Sequence, residues 1–142
     1  MENQFKFFIV DDDVFFAKMY EQYLKNINYN DIMYFDNGND CLNNLNENPD
    51  IIFLDHNMDD MTGFEVLKKI KRYNPNIYVV MISGQENIKT AVDALKYGAF
   101  DYVVKDSNVC DKLTQIISNI IKVKEQLKKA NPNMIQRILT FL

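Results

Sequence analysis

The sequence predicts an α/β fold built on a parallel sheet, and three observations carry the prediction. Five short runs rich in apolar, β-branched and aromatic residues recur along the chain. Amphipathic stretches with helical spacing lie between them, and turn-forming residues mark the joints. Strands alternating with helices in this way make βαβ units, whose right-handed crossovers lay helices on both faces of a parallel sheet. A length of 142 residues suits one domain around one core.

Each element has its own justification. Phe5–Val10 is nearly continuous in apolar residues, as expected of a strand buried on both faces. Val14–Leu24 follows, with Phe15, Phe16, Met19, Tyr20 and Tyr23 at helical spacing, and the stripe reads as core. Ile32–Phe35 is the second strand. Asn37-Gly38 and Asn48-Pro49-Asp50 are breakers before the third strand, Ile51–Leu54. Thr62–Tyr73 places Phe64, Val66, Leu67 and Ile70 on one helical face, and Asn74-Pro75-Asn76 ends it. Ile77–Ile82 is the fourth strand, closed by Ser83-Gly84. Ile88–Tyr97 offers Ile88, Ala91, Val92 and Leu95 as a further core stripe, and Phe100–Val104 is the fifth strand.

The last segment is longer. From Lys112 to about Lys129 the residues Leu113, Ile116, Ile117, Ile120, Ile121 and Leu127 keep a helical pattern, which Asn131-Pro132 breaks. Met134–Leu142 then reads as a short second helix with Met134, Ile135, Ile138, Leu139 and Leu142 on one side. The expected organisation is one domain over residues 1–129, with 130–142 a helical extension or the start of a linker. Three roles stay open for the extension: packing back on the domain, pairing in a dimer, or leading into further chain.

Charge and composition bound the function. The net charge of −4 divides unevenly: residues 1–111 carry ten Lys/Arg and nineteen Asp/Glu, whereas 112–142 carry six and one. The acidic body speaks against direct nucleic-acid binding, and the basic end reads as the solvated face of a long helix. No apolar run approaches the roughly 20 residues that span a bilayer, and the start lacks a basic signal-peptide region, so no membrane is expected. Cys41 and Cys110 form neither a disulfide framework nor a metal cluster, and read as structural thiols in a reducing cytoplasm.

In an open α/β sheet, functional groups gather at the carboxyl ends of the strands. The first strand here runs into Asp11-Asp12-Asp13, the third into Asp55, the fourth into Ser83 and the fifth into Lys105. Taken alone, an Asp run after a strand is as readily a solvated loop or a helix N-cap. Together, the four ends deliver carboxylate, hydroxyl and ammonium groups to one edge. Crowded carboxylates resist ionising together, and a divalent cation relieves the repulsion. Oxygen donors without His or Cys favour Mg²⁺ or Mn²⁺ over zinc. A carboxylate beside such an ion can attack phosphorus and form an aspartyl phosphate. The ion and Lys105 would neutralise the phosphoryl oxygens, and Ser83 would donate to one of them.

Four segments in order then resemble the receiver domain of bacterial two-component response regulators. They are Phe7-Phe8-Ile9-Val10-Asp11-Asp12; Phe53-Leu54-Asp55-His56-Asn57-Met58 followed by Gly63; Val80-Met81-Ile82-Ser83-Gly84; and Lys96 to Lys105. The resemblance covers about residues 5 to 125. It implies a three-layer, doubly wound, five-stranded parallel sheet of flavodoxin-like order 2-1-3-4-5 with an extended C-terminal helical segment. It also implies that Asp55 accepts a phosphoryl group from a histidine kinase or phosphotransfer protein. Mg²⁺ would bind Asp12 and Asp55 directly, Asn57 through its backbone carbonyl and Asp11 largely through water. Ser83 and Lys105 would hold the phosphoryl group, and Tyr102 would change rotamer with Ser83. His56 and Gln85 occupy positions where receivers tune dephosphorylation, although His56 more simply packs on a neighbouring loop. A downstream protein partner would read the switch, and a homodimer through the face of the fourth helix, fifth strand and fifth helix is compatible with the pattern.

Two departures stand out. Asp59 and Asp106 occupy positions where receivers usually carry proline, the second often after a cis bond. A cis bond before a residue other than proline costs roughly 2.5–4 kcal/mol, so a trans Lys105–Asp106 bond is expected. Three other readings follow. The chain is a phosphate-independent docking module with the same fold, a receiver from a larger multidomain regulator, or a phosphatase of the haloacid-dehalogenase type with its nucleophile at Asp11. The last leaves Asp55 unexplained and lacks a later acidic metal motif. Beyond phosphotransfer to itself and slow autodephosphorylation, no enzymatic activity is expected.

Overall fold

The structure, a computed structural model, describes residues 5–130. Its elements are β1 (Phe7–Val10), α1 (Val14–Asn26), β2 (Ile32–Phe35), α2 (Gly38–Asn43), a 3-10 turn (Leu45–Glu47) and β3 (Ile51–Asp55). They continue with α3 (Gly63–Tyr73), β4 (Tyr78–Ser83), α4 (Ile88–Lys96), β5 (Asp101–Val104) and α5 (Val109–Lys129). All neighbouring strands are parallel, and the sheet order is β2-β1-β3-β4-β5. The expected doubly wound, flavodoxin-like topology is therefore present.

The burial pattern follows from the strand sequences. β1 and β3 are buried at every residue, and β4 at all but its first. Alternate side chains point to opposite faces. Phe8, Val10, Ile52, Leu54, Val79 and Met81 join Val66, Leu67 and Ile70 of α3, Cys41 of α2 and Ala94 of α4 in one core. On the other face Phe7 and Phe53 meet edge to face at 5.5 Å, and Tyr20 of α1 meets Phe53 at 6.1 Å. The strands β2 and β5, at the two edges of the sheet, are only partly buried.

Local chemistry sets the helix starts. Asp13, Asn37 and Asn87 cap α1, α2 and α4 with their side chains. α3 opens with a full capping box: Thr62 Oγ1 accepts from the Glu65 N–H, and Glu65 Oε1 accepts from the Thr62 N–H. Asn37-Gly38 thus begins a helix rather than a turn. After α4 the chain turns through Gly98 at φ +105°, a region open to glycine at little strain.

Of two stripes expected in the core, one is there in part and the other is not. In α1 Tyr20 is buried with Ala17 and Leu24, and Phe16, Met19 and Tyr23 are partly buried, while Phe15 is 69% exposed. In α4 only Ala94 is buried, and Ile88, Val92 and Leu95 face solvent. Periodicity shows that a helix has an apolar face, but not which body covers it. Among the described residues, a second unit begins at Asp111, within α5. α5 is an amphipathic helix that starts three residues earlier than expected, at Val109, and reaches Lys129. The expected helix at Met134–Leu142 lies outside the described residues, as does most of the proposed extension.

Candidate functional site

Parallel pairing brings the strand ends to one edge. Val10 pairs with Leu54, Asp55 with Ile82, and Ser83 with Val104, so the next residues along β1 and β5, Asp11 and Lys105, emerge beside Asp55 and Ser83. Asp11 and Asp55 are buried, at 1% and 4% exposure, whereas Asp12 is exposed. One carboxylate oxygen from each of Asp11, Asp12 and Asp55 lies within 4.8 Å of the others. Lys105 Nζ stands 2.9 Å from Asp11 Oδ2 and 3.2 Å from Asp55 Oδ1.

Loop hydrogen bonds hold this arrangement. The Lys105 N–H donates to the Ser83 carbonyl at 2.8 Å, which ties the end of β5 to β4. The Lys105–Asp106 bond is trans, as no cis bond occurs among the described residues. Asp11 Oδ1 accepts from the Asp13 N–H at 2.8 Å, and the Tyr34 hydroxyl donates to the Asp11 carbonyl at 2.9 Å. The loop after β3 is fixed at both ends. The Gly63 N–H donates to the His56 carbonyl at 2.9 Å, and a Cβ on Gly63 would come within 2.8 Å of the Asp55 carbonyl oxygen. Asp60 reaches across to the start of α2, where its carboxylate accepts from the Gly38 and Asn39 N–H groups at 3.2 and 3.0 Å. Burial is the largest single influence and acts to raise the Asp60 pKa, but hydrogen bonds from the Asn39, Gly38, Met61 and Asp60 N–H groups together outweigh it, and the net direction is down.

The electrostatics favour a dication. Three carboxylates and one ammonium leave two net negative charges in a partly desolvated site. Burial first, and then the neighbouring Asp11, push the Asp55 carboxyl up to about 6, despite the opposing pull of Lys105. Burial and the charges of Asp11 and Asp59 also raise Asp12. For Lys105, burial acts to lower the pKa, but Asp11 and Asp55 outweigh it and the net direction is up. An all-oxygen donor set with uncompensated negative charge fits a hard divalent ion.

The other sequence-derived residues lie on β4 and β5 or in the segments that follow β3 and β4. Ser83 is buried, and its Oγ accepts from the Gln85 N–H at 3.2 Å. The Tyr102 hydroxyl donates to the Gln85 carbonyl at 2.9 Å. The Gln85 backbone, not its exposed side chain, therefore links Ser83 to Tyr102. Gly84 leaves the adjoining space open, since a Cβ there would meet nothing within 4 Å. Asn57 is exposed in the loop directly after Asp55 and His56. The His56 ring packs against Phe64 of α3 at 4.7 Å; burial lowers its pKa, and its Nδ1 is buried with no hydrogen-bond partner among the described residues. Two neighbours of the cluster had no functional signal in the sequence. Phe16, read only as core, lies with its ring centroid 4.4 Å from Lys105 Nζ, and Tyr34 supports the Asp11 loop. Both contacts join residues distant in sequence, so no local pattern announces them.

Comparison with known proteins agrees with this geometry. The family model described as response regulator receiver domain matches residues 7–118. The luminescence regulatory protein LuxO of Vibrio campbellii is 32% identical over 126 residues, which cover 88% of this chain and 27% of that protein. The DNA-binding transcriptional regulator NtrC of Proteus hauseri is 36% identical over 106 residues, covering 74% of this chain and 22% of that protein. The chain thus spans about a quarter of the length of these curated relatives. Among solved structures, the signal receiver domain of a putative LuxO repressor protein from Vibrio parahaemolyticus superimposes with a TM-score of 0.78. It is 26% identical, over 89% of this chain and 98% of that one. The chain belongs to the response regulator receiver domain family, signalling domains whose role is phosphorylation-dependent switching.

Proposed function

We propose that Asp55 is the phosphoacceptor of this receiver, and that the observation carrying this role is the convergence of Asp11, Asp12 and Lys105 on its carboxylate. A carboxylate oxygen of Asp55 attacks phosphorus in the donor, the bond from phosphorus to the donor breaks, and the leaving group takes the electron pair. Asp11, Asp12, Asp55 and the Asn57 carbonyl would hold Mg²⁺, which supplies positive charge to the phosphoryl oxygens. Lys105 supplies a second positive charge from the end of β5, at the same edge of the sheet. Its position between two buried carboxylates leaves it close to where charge develops.

The switch follows from the hydrogen bonds at Gln85. An aspartyl phosphate adds up to about two negative charges and several acceptors. Ser83 Oγ, drawn to them, releases the Gln85 N–H, and the loop that also anchors Tyr102 is freed to rearrange. The apolar residues Ile88, Val92 and Leu95 on neighbouring α4 are exposed and form part of the surface that a downstream protein or a second copy would read. The donor is a histidine kinase or phosphotransfer protein in the cytoplasm. The length of the relatives supports a receiver acting within a larger regulator. Slow loss of the phosphoryl group to water, tuned near His56 and Gln85, returns the domain to its resting state.

The test is intact mass after incubation with acetyl phosphate and Mg²⁺, with Asp55→Ala alongside. A Mg²⁺-dependent, base-labile gain of one phosphoryl group, absent in the variant, is expected. An equal gain in Asp55→Ala would overturn the assignment. No gain in a wild-type protein shown to bind Mg²⁺ would favour a phosphate-independent docking module, with Asp59 and Asp106 in place of the usual prolines as the altered positions.

A further inference from the structure

We propose that Phe16 is a positioning residue for Lys105, its ring face holding the ammonium over the site through a contact that neither a cation nor a phosphoryl group competes for. The inference rests on the phosphoacceptor reading of Asp55 and deepens it.

Lys105 Nζ has three close neighbours: Asp11 Oδ2 at 2.9 Å, Asp55 Oδ1 at 3.2 Å and the centroid of the Phe16 ring at 4.4 Å. The two carboxylates are also candidate ligands of the divalent ion, and Asp55 is the atom to be phosphorylated. Both ion pairs therefore weaken when the site is loaded. The aromatic face is attractive to an ammonium through its quadrupole and offers nothing to a hard cation or an oxyanion. It is the one contact of the three that persists through loading and transfer.

The ring is itself held in place. Phe16 is half-buried in the first turns of α1, edge to face with Phe15 at 5.4 Å, and 6.2 Å from Tyr20. Tyr20 is anchored against Phe53 in the sheet. Asp13 caps the same helix and donates its own N–H to Asp11, so the acid cluster and the ring share one rigid turn. The Lys105 side chain is only 11% exposed, which strengthens the interaction relative to one in water. A lysine is a flexible point charge on four rotatable carbons, and a wall on one side restricts where that charge can go.

The experiment compares Phe16→Leu, which keeps apolar bulk, with Phe16→Tyr, which keeps the aromatic face. Two readouts are taken. The first is the carbon–proton NMR signal of the Lys105 ε-methylene in metal-free protein, assigned by its loss in Lys105→Met. The second is the rate of phosphorylation by acetyl phosphate at saturating Mg²⁺, across donor concentrations. A ring-current shift of the Lys105 signal is expected in the wild type and in Phe16→Tyr, and its disappearance in Phe16→Leu. The maximal rate should fall roughly two- to thirty-fold in Phe16→Leu, the range a cation–π contact supports, with the half-saturating donor concentration unchanged. Phe16→Tyr should retain the wild-type rate. A Lys105 signal at its ordinary position in the wild type overturns the contact. An unchanged rate in Phe16→Leu, or equal slowing in both variants, overturns the positioning role. Should the wild type accept no phosphoryl group at all, the reading of Asp55 fails instead, and the NMR comparison alone decides the contact.

Discussion

Removing the charge of Asp55 should stabilise the metal-free fold. The Asp55 carboxyl is displaced from its ordinary 3.8 to about 6 by burial and by Asp11. At about 1.36 kcal/mol per pH unit, that displacement penalises the ionised form by about 3 kcal/mol. The group is 4% exposed, so solvent screening removes little of it. The sign follows from linkage. The folded state holds this proton more tightly than the unfolded chain, so stability is lost as pH rises from about 4 through about 6. Asp55→Asn replaces the carboxylate with a neutral group of the same shape. In the presence of a chelator at pH 8 it should exceed the wild type by about 2–3 kcal/mol, and at pH 4 the two should coincide. Urea denaturation followed by circular dichroism reads this directly: at about 1–3 kcal/mol per molar urea, the midpoint at pH 8 moves by on the order of 1–2 M. Mg²⁺ should close the gap by stabilising only the wild type. A variant no more stable than the wild type at pH 8, or a flat wild-type profile between pH 4 and 8, would refute the account of charge crowding.

Three further outcomes are expected. Gly63→Ala should destabilise by about 1–3 kcal/mol, because the added Cβ meets the Asp55 carbonyl oxygen and the His56 Cα at 2.8 Å each, whereas Gly84→Ala, in open space, should stay within about 0.5 kcal/mol; urea midpoints compare them. Asp60→Asn should cost less than about 1 kcal/mol at neutral pH, since the carboxylate is largely exposed and screened. The Asp60 pKa is lowered, so its contribution is present above about pH 4 and lost as pH falls further, and a difference from wild type that persists at pH 2 would contradict the two N–H contacts. Cys41, fully buried with its thiol pushed up to about 12, should resist alkylation at pH 8 until the protein unfolds, and mass spectrometry of peptides from native labelling would expose any failure.

Much of the fold was legible because its signals are local. Phe7–Val10 and Ile51–Leu54 are apolar at every position, which only a strand covered on both faces tolerates, and the breakers at Asn74-Pro75 and Ser83-Gly84 bound the elements between them. The site was legible for a related reason: parallel strands place their carboxyl ends at one edge, so reading the last residues of four strands reads the site. Phe15 of the α1 stripe and most of the α4 stripe misled because amphipathicity is a property of the helix, while burial is a property of its neighbours. Phe15 and Ile88 carry the same pattern as buried residues and are 69% and 83% exposed.

By itself the sequence determined the order of elements, the parallel sheet and the set of groups at its edge, since strand alternation, capping residues and strand-end chemistry act over a few residues. Tertiary structure alone decided the rest. It set Lys105 between two carboxylates and under the Phe16 ring, ran the Asp60 carboxylate to the start of α2, and joined Ser83 to Tyr102 through the backbone of Gln85. These contacts join segments far apart in sequence, and their distances depend on how the strands and helices pack, which no local pattern encodes.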